Sequence, residues 1–313
     1  YCWWINKQVK AYIMNHELAH IYSCLPFFGP FRDKSLLIHF DGGASISNFS
    51  AWFFENGQLT LLRHHWELKY LSSLFNANAL MFKMLNIKRK DHNSLPGKLM
   101  GYASFGHYRP EMEEWLKNNN YFNNIWRHSS SFFDSVRKNF SKSIQHFDTH
   151  DRFFQDIAAT VQHMFTRDFL TQLESIVQQT KAENLYYTGG SALNIMTNSA
   201  ITESGLFSNV FIPPCTNDTG LSIGAAAYLE QKKGECIEIH SPYLNNHLLK
   251  YTSWDNPEQK RRHQLLDVLS QEIAQGKIIG LCNEPGESGP RALGNRSVIA
   301  RPDNAELAKK VSM

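Results

Sequence analysis

A chain of 313 residues with 42% hydrophobic residues is long enough to bury a sizeable core and to form two domains. Its net charge of +3 is small and its basic residues are scattered. The sequence therefore predicts no nucleic-acid partner. The five cysteines are odd in number and contain no C-x-x-C pair. They predict neither a disulfide framework nor a cysteine zinc site, and they favour a cytoplasmic protein.

The two ends of the chain carry little targeting information. No apolar run reaches membrane-spanning length, and no charged amino-terminal region precedes a hydrophobic stretch, so we expect no membrane segment and no signal peptide. The chain starts at Tyr1 rather than at methionine and stops at Met313 soon after a helical pattern. This predicts a piece of a longer protein.

The first predicted element is a helix over residues 7–24, because apolar residues recur there at three- and four-residue spacing. His16 and His20 lie four residues apart and therefore on one helix face, where they can bind one metal ion. The pattern H-E-x-x-H is typical of zinc metallopeptidases, in which Glu17 would activate a metal-bound water. An ordinary polar or core helix face explains the same pair.

The next predicted element is a strand at residues 35–40, closed by Asp41, Gly42 and Gly43. A second apolar run, residues 49–54, predicts its hairpin partner and ends before the turn Asn56-Gly57. Glycines after a strand let backbone N–H groups approach a phosphate, and the carboxylate can face a metal or a ligand hydroxyl. A plain Asp-Gly turn is the alternative.

The middle of the chain gives weaker signals. Residues 72–88 have a helical period, and residues 96–101 are expected to break it. Lys98 between two glycines is a modest indication of anion contact. The stretch 107–150 is rich in polar and aromatic residues, and it predicts an irregular insertion or lid.

A clearer alternation of elements follows. Apolar spacing from Phe154 to Ile176 predicts a long amphipathic helix, and residues 184–188 predict a strand. That strand runs into Gly189-Gly190-Ser191-Ala192-Leu193-Asn194, where a helix start could hold a phosphate or adenine. A strand at residues 209–212 then leads to Asp218, which is either a helix cap or a third metal ligand.

The last third predicts a new domain, because a helix (265–274) and a strand (277–282) follow the polar stretch 241–263. We therefore divide the chain into residues 1–262 and 263–313. Arg291, Arg296 and Ser297 in the loop that follows offer donors suited to a phosphate or carboxylate.

The order of these motifs resembles the O-carbamoyltransferase family of nodulation-factor and antibiotic biosynthesis, along nearly the whole chain. The motifs that carry the resemblance are His16-x-x-x-His20, Asp41-Gly42-Gly43, Pro96-Gly97-Lys98-Leu99-Met100-Gly101, Gly189-Gly190-Ser191-Ala192-Leu193-Asn194, Asp218-Thr219-Gly220 and Gly289-Pro290-Arg291-Ala292-Leu293-Gly294-Asn295-Arg296-Ser297.

The resemblance implies an α/β fold in which an actin-like ATPase domain (ASKHA, RNase H-like superfold) precedes the start of a YrdC-like α/β domain. It implies a reaction in two stages. Carbamoyl phosphate and ATP give carbamoyl-adenylate in the YrdC-like part, and the carbamoyl group then passes to the hydroxyl of a small-molecule acceptor beside a metal ion. The implied metal is Fe²⁺ or another divalent ion. A homodimer is compatible with this assignment, whereas no nucleic-acid or membrane partner is expected.

The resemblance also implies roles for individual residues. It matches His16, His20, Asp41 and Asp218 to the metal ligands, with His16, His20 and Asp41 catalytic. It matches the remaining motif residues to cofactor binding: Gly42, Gly43, Lys98, Gly189, Gly190, Asn194, Arg291, Arg296 and Ser297.

This sequence departs from the family pattern in extent and at single positions. The family continues both before the His pair and beyond residue 313, and Pro96 replaces a usual acidic residue. We therefore expect the chain to bind metal and nucleotide without completing the reaction alone. A zinc metallopeptidase and a non-catalytic nucleotide-binding module are the alternatives.

Overall fold

The computed structural model of the chain divides into two compact units, Tyr1–Glu238 and Ile239–Met313. The sequence predicted a domain boundary between residues 262 and 263, and that boundary stays a prediction. The residues described are 2–4, 7–9, 11–64, 79–121, 128–239, 241–244, 259–282 and 286–311.

Helices and strands alternate in both units, which is a mixed α/β architecture. The strands are β1 (Cys2–Trp4), β2 (Lys7–Val9), β3 (Ser35–Phe40), β4 (Phe49–Glu55), β5 (Gln58–Arg63), β6 (Asn184–Thr188), β7 (Asn209–Phe211), β8 (Tyr243–Leu244), β9 (Ile279–Cys282), β10 (Gly286–Glu287) and β11 (Arg296–Ile299). The α-helices are α1 (His16–Tyr22), α2 (Leu25–Phe28), α3 (Ala79–Met84), α4 (Leu95–Ala103), α5 (Pro110–Asn118), α6 (Ser129–Phe140), α7 (Arg152–Thr180), α8 (Ile195–Glu203), α9 (Leu221–Lys232), α10 (Gln259–Ala274) and α11 (Ala305–Val311). Among the described residues, three short 3-10 helices span Arg89–Ser94, Gly190–Leu193 and Asp218–Gly220.

The first unit contains a five-stranded sheet with the order β5-β4-β3-β6-β7. Strands β3, β4 and β5 pair in antiparallel fashion, whereas β6 runs parallel to β3 and β7 parallel to β6. The long helix α7 lies in the chain between β5 and β6 and connects the antiparallel part of the sheet to the parallel part. The carboxyl ends of β3 and β6 therefore lie side by side.

The two faces of β3 bury different sets of residues because side chains alternate along a strand. Leu36, Ile38 and Phe40 belong to the large core that includes α4–α8. Leu37 belongs to a smaller core formed with α1, α2 and α9. His39 has the same parity as Leu37, so the strand presents it on the face that α1 covers.

Helix α7 and strands β3, β4 and β6 confirm the sequence predictions for these elements. The Asn56-Gly57 turn connects β4 to β5 with positive φ at both residues, as a tight hairpin requires. Of the predicted helix at residues 72–88, residues 72–78 lie outside the described part of the chain, Ala79–Met84 form α3, and residues 85–88 follow the end of that helix.

Three expectations were wrong. The helix predicted over residues 7–24 begins only at His16, because residues 7–9 pair with β1 as strand β2. The break predicted at residues 96–101 is helix α4, in which Pro96 occupies the first turn, where no N–H donor is needed. The irregular segment predicted at residues 107–150 contains helices α5 and α6, whose apolar faces enter the large core.

The described residues of the second unit form two antiparallel strand pairs, β8 with β10 and β9 with β11, and helices α10 and α11. The predicted helix–strand succession is present there as α10 and β9. Among the described residues, no helix is both long enough and apolar enough to cross a membrane.

Candidate metal centre

Helix α1 presents the two histidines of the sequence motif on one face. Asn15 caps the helix, since its side chain accepts a hydrogen bond from the N–H of Leu18 at 3.1 Å. The Nε2 atoms of His16 and His20 lie 3.1 Å apart. His20 is fully buried, whereas the His16 side chain keeps 24% of its exposure. The helix thus aims two imidazole nitrogens at one point.

Two carboxylates from other elements reach the same point. Asp41, directly after β3, places Oδ2 3.3 Å from Nε2 of His20. Asp218, in the 3-10 helix before α9, places Oδ1 3.3 Å from Nε2 of His20 and 3.6 Å from Nε2 of His16. The side chain of Asp218 is 70% exposed, so this side of the group faces solvent.

A third histidine, which the motif analysis missed, completes the group. His39 on β3 is fully buried, and its ring centroid lies 5.0 Å from that of His20 and 5.7 Å from that of His16. Only its even spacing from Asp41 along a strand gave any signal. We call His16, His20, His39, Asp41 and Asp218 the His–Asp cluster.

The loop between β6 and α8 holds Asp41 in place. The N–H of Gly190 donates to Oδ2 of Asp41 at 2.9 Å, and the N–H of Gly42 donates to Oδ1 at 2.5 Å. Gly189 has φ of +93°, and a Cβ there would lie 2.3 Å from the carbonyl oxygen of Phe40. Glycine is therefore required where the two strand ends meet.

Burial and the neighbouring groups set the charges in the cluster. Burial, together with the charges of His20 and His16, lowers the pKa of His39 to about 3, although Asp41 opposes this shift. Burial alone would raise the pKa of Asp41, but hydrogen bonds from His20, Gly190 and Gly42 outweigh it, and the pKa lies below its ordinary value. A neutral imidazole beside an ionised carboxylate is the protonation state that binds a cation.

Glu17, the acidic residue of the H-E-x-x-H pattern, is bound to the loop after β3. Its side chain is buried, and Oε1 accepts the N–H groups of Ile46 and Ser47 at 2.6 and 3.2 Å. The N–H of His16 donates to Oγ of Ser45 in the same loop at 3.1 Å. The start of α1 is thus attached to this loop at three points.

The donor set and its burial fit a divalent metal ion. Imidazole and carboxylate groups are ordinary ligands of Fe²⁺, Mn²⁺ and Zn²⁺. One ligand atom each from His16, His20, His39 and Asp41 lies within 4.8 Å of the other three. Among the described residues, Nδ1 and Nε2 of His39 and Nδ1 of His20 are buried without a hydrogen-bond partner. Unpaired buried nitrogens are costly, and a bound cation would satisfy at least some of them.

Two protein-family models match most of the chain. A family model described as the carbamoyltransferase N-terminus matches residues 5–227, and one described as the carbamoyltransferase C-terminus matches residues 270–313. The chain belongs to the carbamoyltransferase family. The resemblance seen in the sequence motifs is confirmed.

Individual relatives match nearly the whole chain. Nodulation protein U of Azorhizobium caulinodans is 28% identical over 324 residues, covering 95% of this chain and 55% of the relative. The 3'-hydroxymethylcephem-O-carbamoyltransferase of Streptomyces clavuligerus is 26% identical over 316 residues, covering 94% and 56%. The chain therefore spans about half the length of the curated relatives it matches.

Among solved structures, full-length HypF in its phosphate- and nucleotide-bound form matches with a TM-score of 0.38 and 14% identity. The match covers 72% of this chain and 36% of that chain. A similarity this low supports no argument about this chain.

The other residues predicted for cofactor binding lie in varied settings. Gly43 is exposed in the loop after Asp41, and Lys98 is exposed on helix α4. Asn194 is buried and caps α8, and its side chain exchanges hydrogen bonds with Gln162 of α7 at 2.9 and 3.2 Å. These contacts of Asn194 stabilise the fold, and the proposed cofactor contacts stay predictions.

The predicted carbamoyl phosphate residues lie in the second unit. Arg296 and Ser297 belong to β11, and Arg291 is exposed in the preceding loop. Glu287 closes this loop, since its Oε1 accepts the N–H groups of Leu293 and Asn295, each at 2.7 Å. The Glu287 carboxylate therefore holds the backbone of this loop, and the ligand of its arginines stays a prediction.

Proposed function

We propose that this chain is part of an O-carbamoyltransferase that transfers a carbamoyl group to an acceptor hydroxyl at a divalent metal site. The observation that carries the proposal is the convergence of His16, His20, Asp41 and Asp218 from three separate elements. Membership of the carbamoyltransferase family, and relatives named cephem O-carbamoyltransferases, support the reaction class.

The sheet supports the actin-like part of the proposal. Three antiparallel strands followed by two parallel ones, with a long helix between the two parts, form an arrangement in which ligands bind beyond the carboxyl ends of the parallel strands. Asp41 and Gly190 occupy these ends. The start of a YrdC-like domain in residues 263–313 remains part of the proposal.

The proposed reaction has two stages. In the first, which takes place in the YrdC-like part, water cleaves carbamoyl phosphate to carbamate and phosphate. A carbamate oxygen then forms a bond to the α-phosphorus of ATP and pyrophosphate leaves, which gives carbamoyl-adenylate. Arg291, Arg296 and Ser297 would bind the anionic substrate. In the second, the acceptor oxygen forms a bond to the carbamoyl carbon, the bond from that carbon to the adenylate oxygen breaks, and AMP leaves. The hydroxyl proton passes to a basic group or to solvent.

The chain's own residues prepare the site for this transfer. His16, His20, Asp41 and Asp218 would hold Fe²⁺ or another divalent ion, which supplies Lewis-acid polarisation of the carbamoyl carbonyl or of phosphate oxygens. The exposed Asp218 side leaves room for a substrate to approach. The glycine loops at residues 42–43 and 189–190 would let a nucleotide approach the backbone closely, while the N–H groups of Gly42 and Gly190 hold Asp41.

The metallopeptidase alternative requires Glu17 to face a metal-bound water. Glu17 is instead buried, and Oε1 of its carboxylate accepts two backbone N–H groups of the loop after β3. That contact supports a structural role for Glu17 and weakens the alternative. A cytoplasmic location, a small hydroxylated acceptor and a homodimer belong to the proposal as well.

The test uses the full-length protein that contains this chain. Metal content is measured by mass spectrometry, and ATP and carbamoyl phosphate consumption is followed with a panel of hydroxylated acceptors. We expect both substrates to be consumed together, and His20→Asn and Asp41→Asn to reduce metal occupancy at least about tenfold. His150→Asn, which alters an exposed histidine outside the cluster, is the matched control. Metal-loaded protein that never consumes the two substrates together would contradict the proposal.

A further inference from the structure

His39 is a buried histidine whose ring nitrogens have no protein partner in the described part of the chain. It is fully buried, and neither Nδ1 nor Nε2 makes a hydrogen bond there. A core histidine normally has at least one nitrogen paired, because an unpaired buried polar atom costs about 1–3 kcal/mol. We therefore expect a group that forms a hydrogen bond or a coordination bond to one of the imidazole nitrogens of His39.

The geometry places such a group within reach of His39. Its ring lies 5.0 Å from that of His20 by centroid distance, and one of its nitrogens lies within 4.8 Å of ligand atoms of His16, His20 and Asp41. Ligands on opposite sides of a metal with bonds of about 2.1 Å lie about 4.2 Å apart. Small side-chain movements would bring His39 to bonding distance.

The secondary structure explains how His39 arrives there. Residues two apart on a strand lie on one face, so β3 directs residues 39 and 41 to the side that α1 covers. Residues four apart on α1 direct His16 and His20 to the same point. Two side chains at the end of β3 and two side chains of α1 therefore converge between the sheet and the helix.

We propose that His39 binds the metal ion as a third imidazole ligand, and that this ligand shifts the preference of the site toward the later divalent metals. The inference rests on the metal site of the proposed function and adds a ligand to it. Carboxylates suit Mn²⁺ well, whereas each added imidazole favours Co²⁺, Ni²⁺ and Zn²⁺. Removing His39 should therefore weaken Co²⁺ binding more than Mn²⁺ binding.

The experiment measures binding of Co²⁺ and Mn²⁺ to the full-length protein by competition with a chromogenic chelator. His39→Val keeps a β-branched, apolar residue in the strand and removes both unpaired nitrogens. We expect it to weaken Co²⁺ binding at least about tenfold. The loss of Mn²⁺ affinity should be several-fold smaller than the loss of Co²⁺ affinity. His163→Gln, at an exposed position of α7, is the control and should leave both affinities unchanged.

A second measurement needs no variant and covers the case in which His39→Val fails to fold. In the Co²⁺-loaded wild-type protein, each bound imidazole contributes a paramagnetically shifted, exchangeable N–H proton resonance. Three such resonances support the inference, and two overturn it while leaving the four-residue metal site intact. Equal loss of Co²⁺ and Mn²⁺ affinity in a folded His39→Val protein, or no loss of either, also overturns it. Absence of any metal binding by the wild-type protein contradicts the metal site itself.

Discussion

Glu17 and the two histidines that flank it are neighbours on one short helix, yet their side chains have separate tasks. The imidazoles of His16 and His20 converge on the carboxylates of Asp41 and Asp218. The carboxylate of Glu17 binds backbone N–H groups of the loop after β3. The loop that carries Asp41 at its start is thereby tied to the helix that carries the histidines.

Replacing Glu17 separates the two interpretations of the H-E-x-x-H pattern. In Glu17→Gln an amide oxygen can still accept the N–H groups of Ile46 and Ser47, so we expect metal binding and carbamoyl transfer to be largely retained. In Glu17→Ala these buried donors lose their partner, and the free energy of unfolding should fall by about 1–3 kcal/mol. Urea unfolding and metal titration of both variants check this. Loss of all activity in Glu17→Gln with unchanged stability would favour a general base.

The candidate site could be predicted from sequence only in part. Motif order selected His16, His20, Asp41 and Asp218, and the structure brings these four together, while their role as ligands stays a prediction. His39 was not found, because a single histidine in an apolar strand looks like an ordinary core residue. Its significance depends on helix α1 covering that face of the sheet, which no local pattern reports.

At the scale of elements, helices α1 and α9 approach so closely that one residue between them must be glycine. A Cβ on Gly224 would lie 1.7 Å from the carbonyl oxygen of Ala19 and 2.9 Å from the backbone nitrogen of Ser23. Asp218 lies just before α9, and both histidines lie on α1. The spacing of these two helices therefore sets the distance between the exposed carboxylate and the imidazoles.

Gly224→Ala tests this spacing. The added methyl group must push α9 away from α1, so we expect the free energy of unfolding to fall by about 2 kcal/mol or more and metal affinity to fall with it. Gly101→Ala is the matched control, because Gly101 lies exposed on helix α4 with no atom within 4 Å of a new Cβ. It should raise stability by about 0.5–1 kcal/mol. Chemical denaturation and metal titration measure both effects, and equal behaviour of the two variants would contradict the close-packing argument.

The buried carboxylate of Glu113 on α5 binds Arg167 of α7, and its protonation at low pH should reduce the stability of the protein. Arg167 donates to both oxygens of Glu113 at 2.8 and 2.9 Å, and Lys117 and Tyr108 donate as well. The hydrogen bonds from Arg167, with those from Lys117 and Tyr108, lower the pKa of Glu113 to about 2, although burial opposes this shift. Because the folded-state pKa lies below the unfolded value of about 4.3, the stabilisation is present above that value and disappears as the pH falls toward 2.

The corresponding prediction concerns Glu113→Gln. At pH 7 it should lower the free energy of unfolding by about 1–3 kcal/mol, since Arg167 is partly exposed and solvent screens part of the interaction. The difference from wild type should shrink steadily between pH 5 and pH 2. Urea unfolding across that range provides the measurement. Asp134→Asn, in an exposed ion pair with Arg137, should change little, and a pH-independent effect of Glu113→Gln would contradict the assignment.

Elements with a long, regular pattern were the predictable ones. Helix α7 and strands β3 and β6 are continuous and strongly apolar, so their period identifies them. The start of α1 was misplaced because Tyr12 and Ile13 mimic a buried helical face, although both are exposed, at 60% and 104%. Helices α5 and α6 were missed because their polar residues obscured buried Met112, Trp115, Phe132 and Val136, whose burial depends on packing against α7.

At the scale of the whole molecule, the His–Asp cluster joins helix α1, strand β3 and the segment before α9 across one layer of the first unit. These elements also share the smaller core, which contains Leu37, Ile21 and Ala227. A ligand held by all three would act as a cross-link in the folded state only. Binding of the proposed metal and the stability of this unit would therefore be coupled.

We expect a divalent metal at 100 times its Kd to stabilise the protein by about 2.7 kcal/mol and to raise its Tm by several degrees. A chelator should reverse the shift, and His20→Asn should abolish it. Differential scanning calorimetry with Co²⁺ measures the effect, with His150→Asn as the control. An unchanged Tm at saturating metal would show that the ion does not bind the folded state in preference to the unfolded state, and would contradict this prediction.

The unequal exposure of the cluster has a kinetic consequence. His20 and His39 are closed off by protein, Asp41 is largely covered, and Asp218 is 70% exposed on its short 3-10 turn. Among the described residues, the cluster is open on the side of Asp218 and the partly exposed His16, so we expect the rate of metal exchange to depend on this side. We therefore expect Asp218→Asn to increase the rate at which a chelator removes the metal by a larger factor than it increases the Kd. The Asp218 carboxylate would then control how fast the ion binds and leaves.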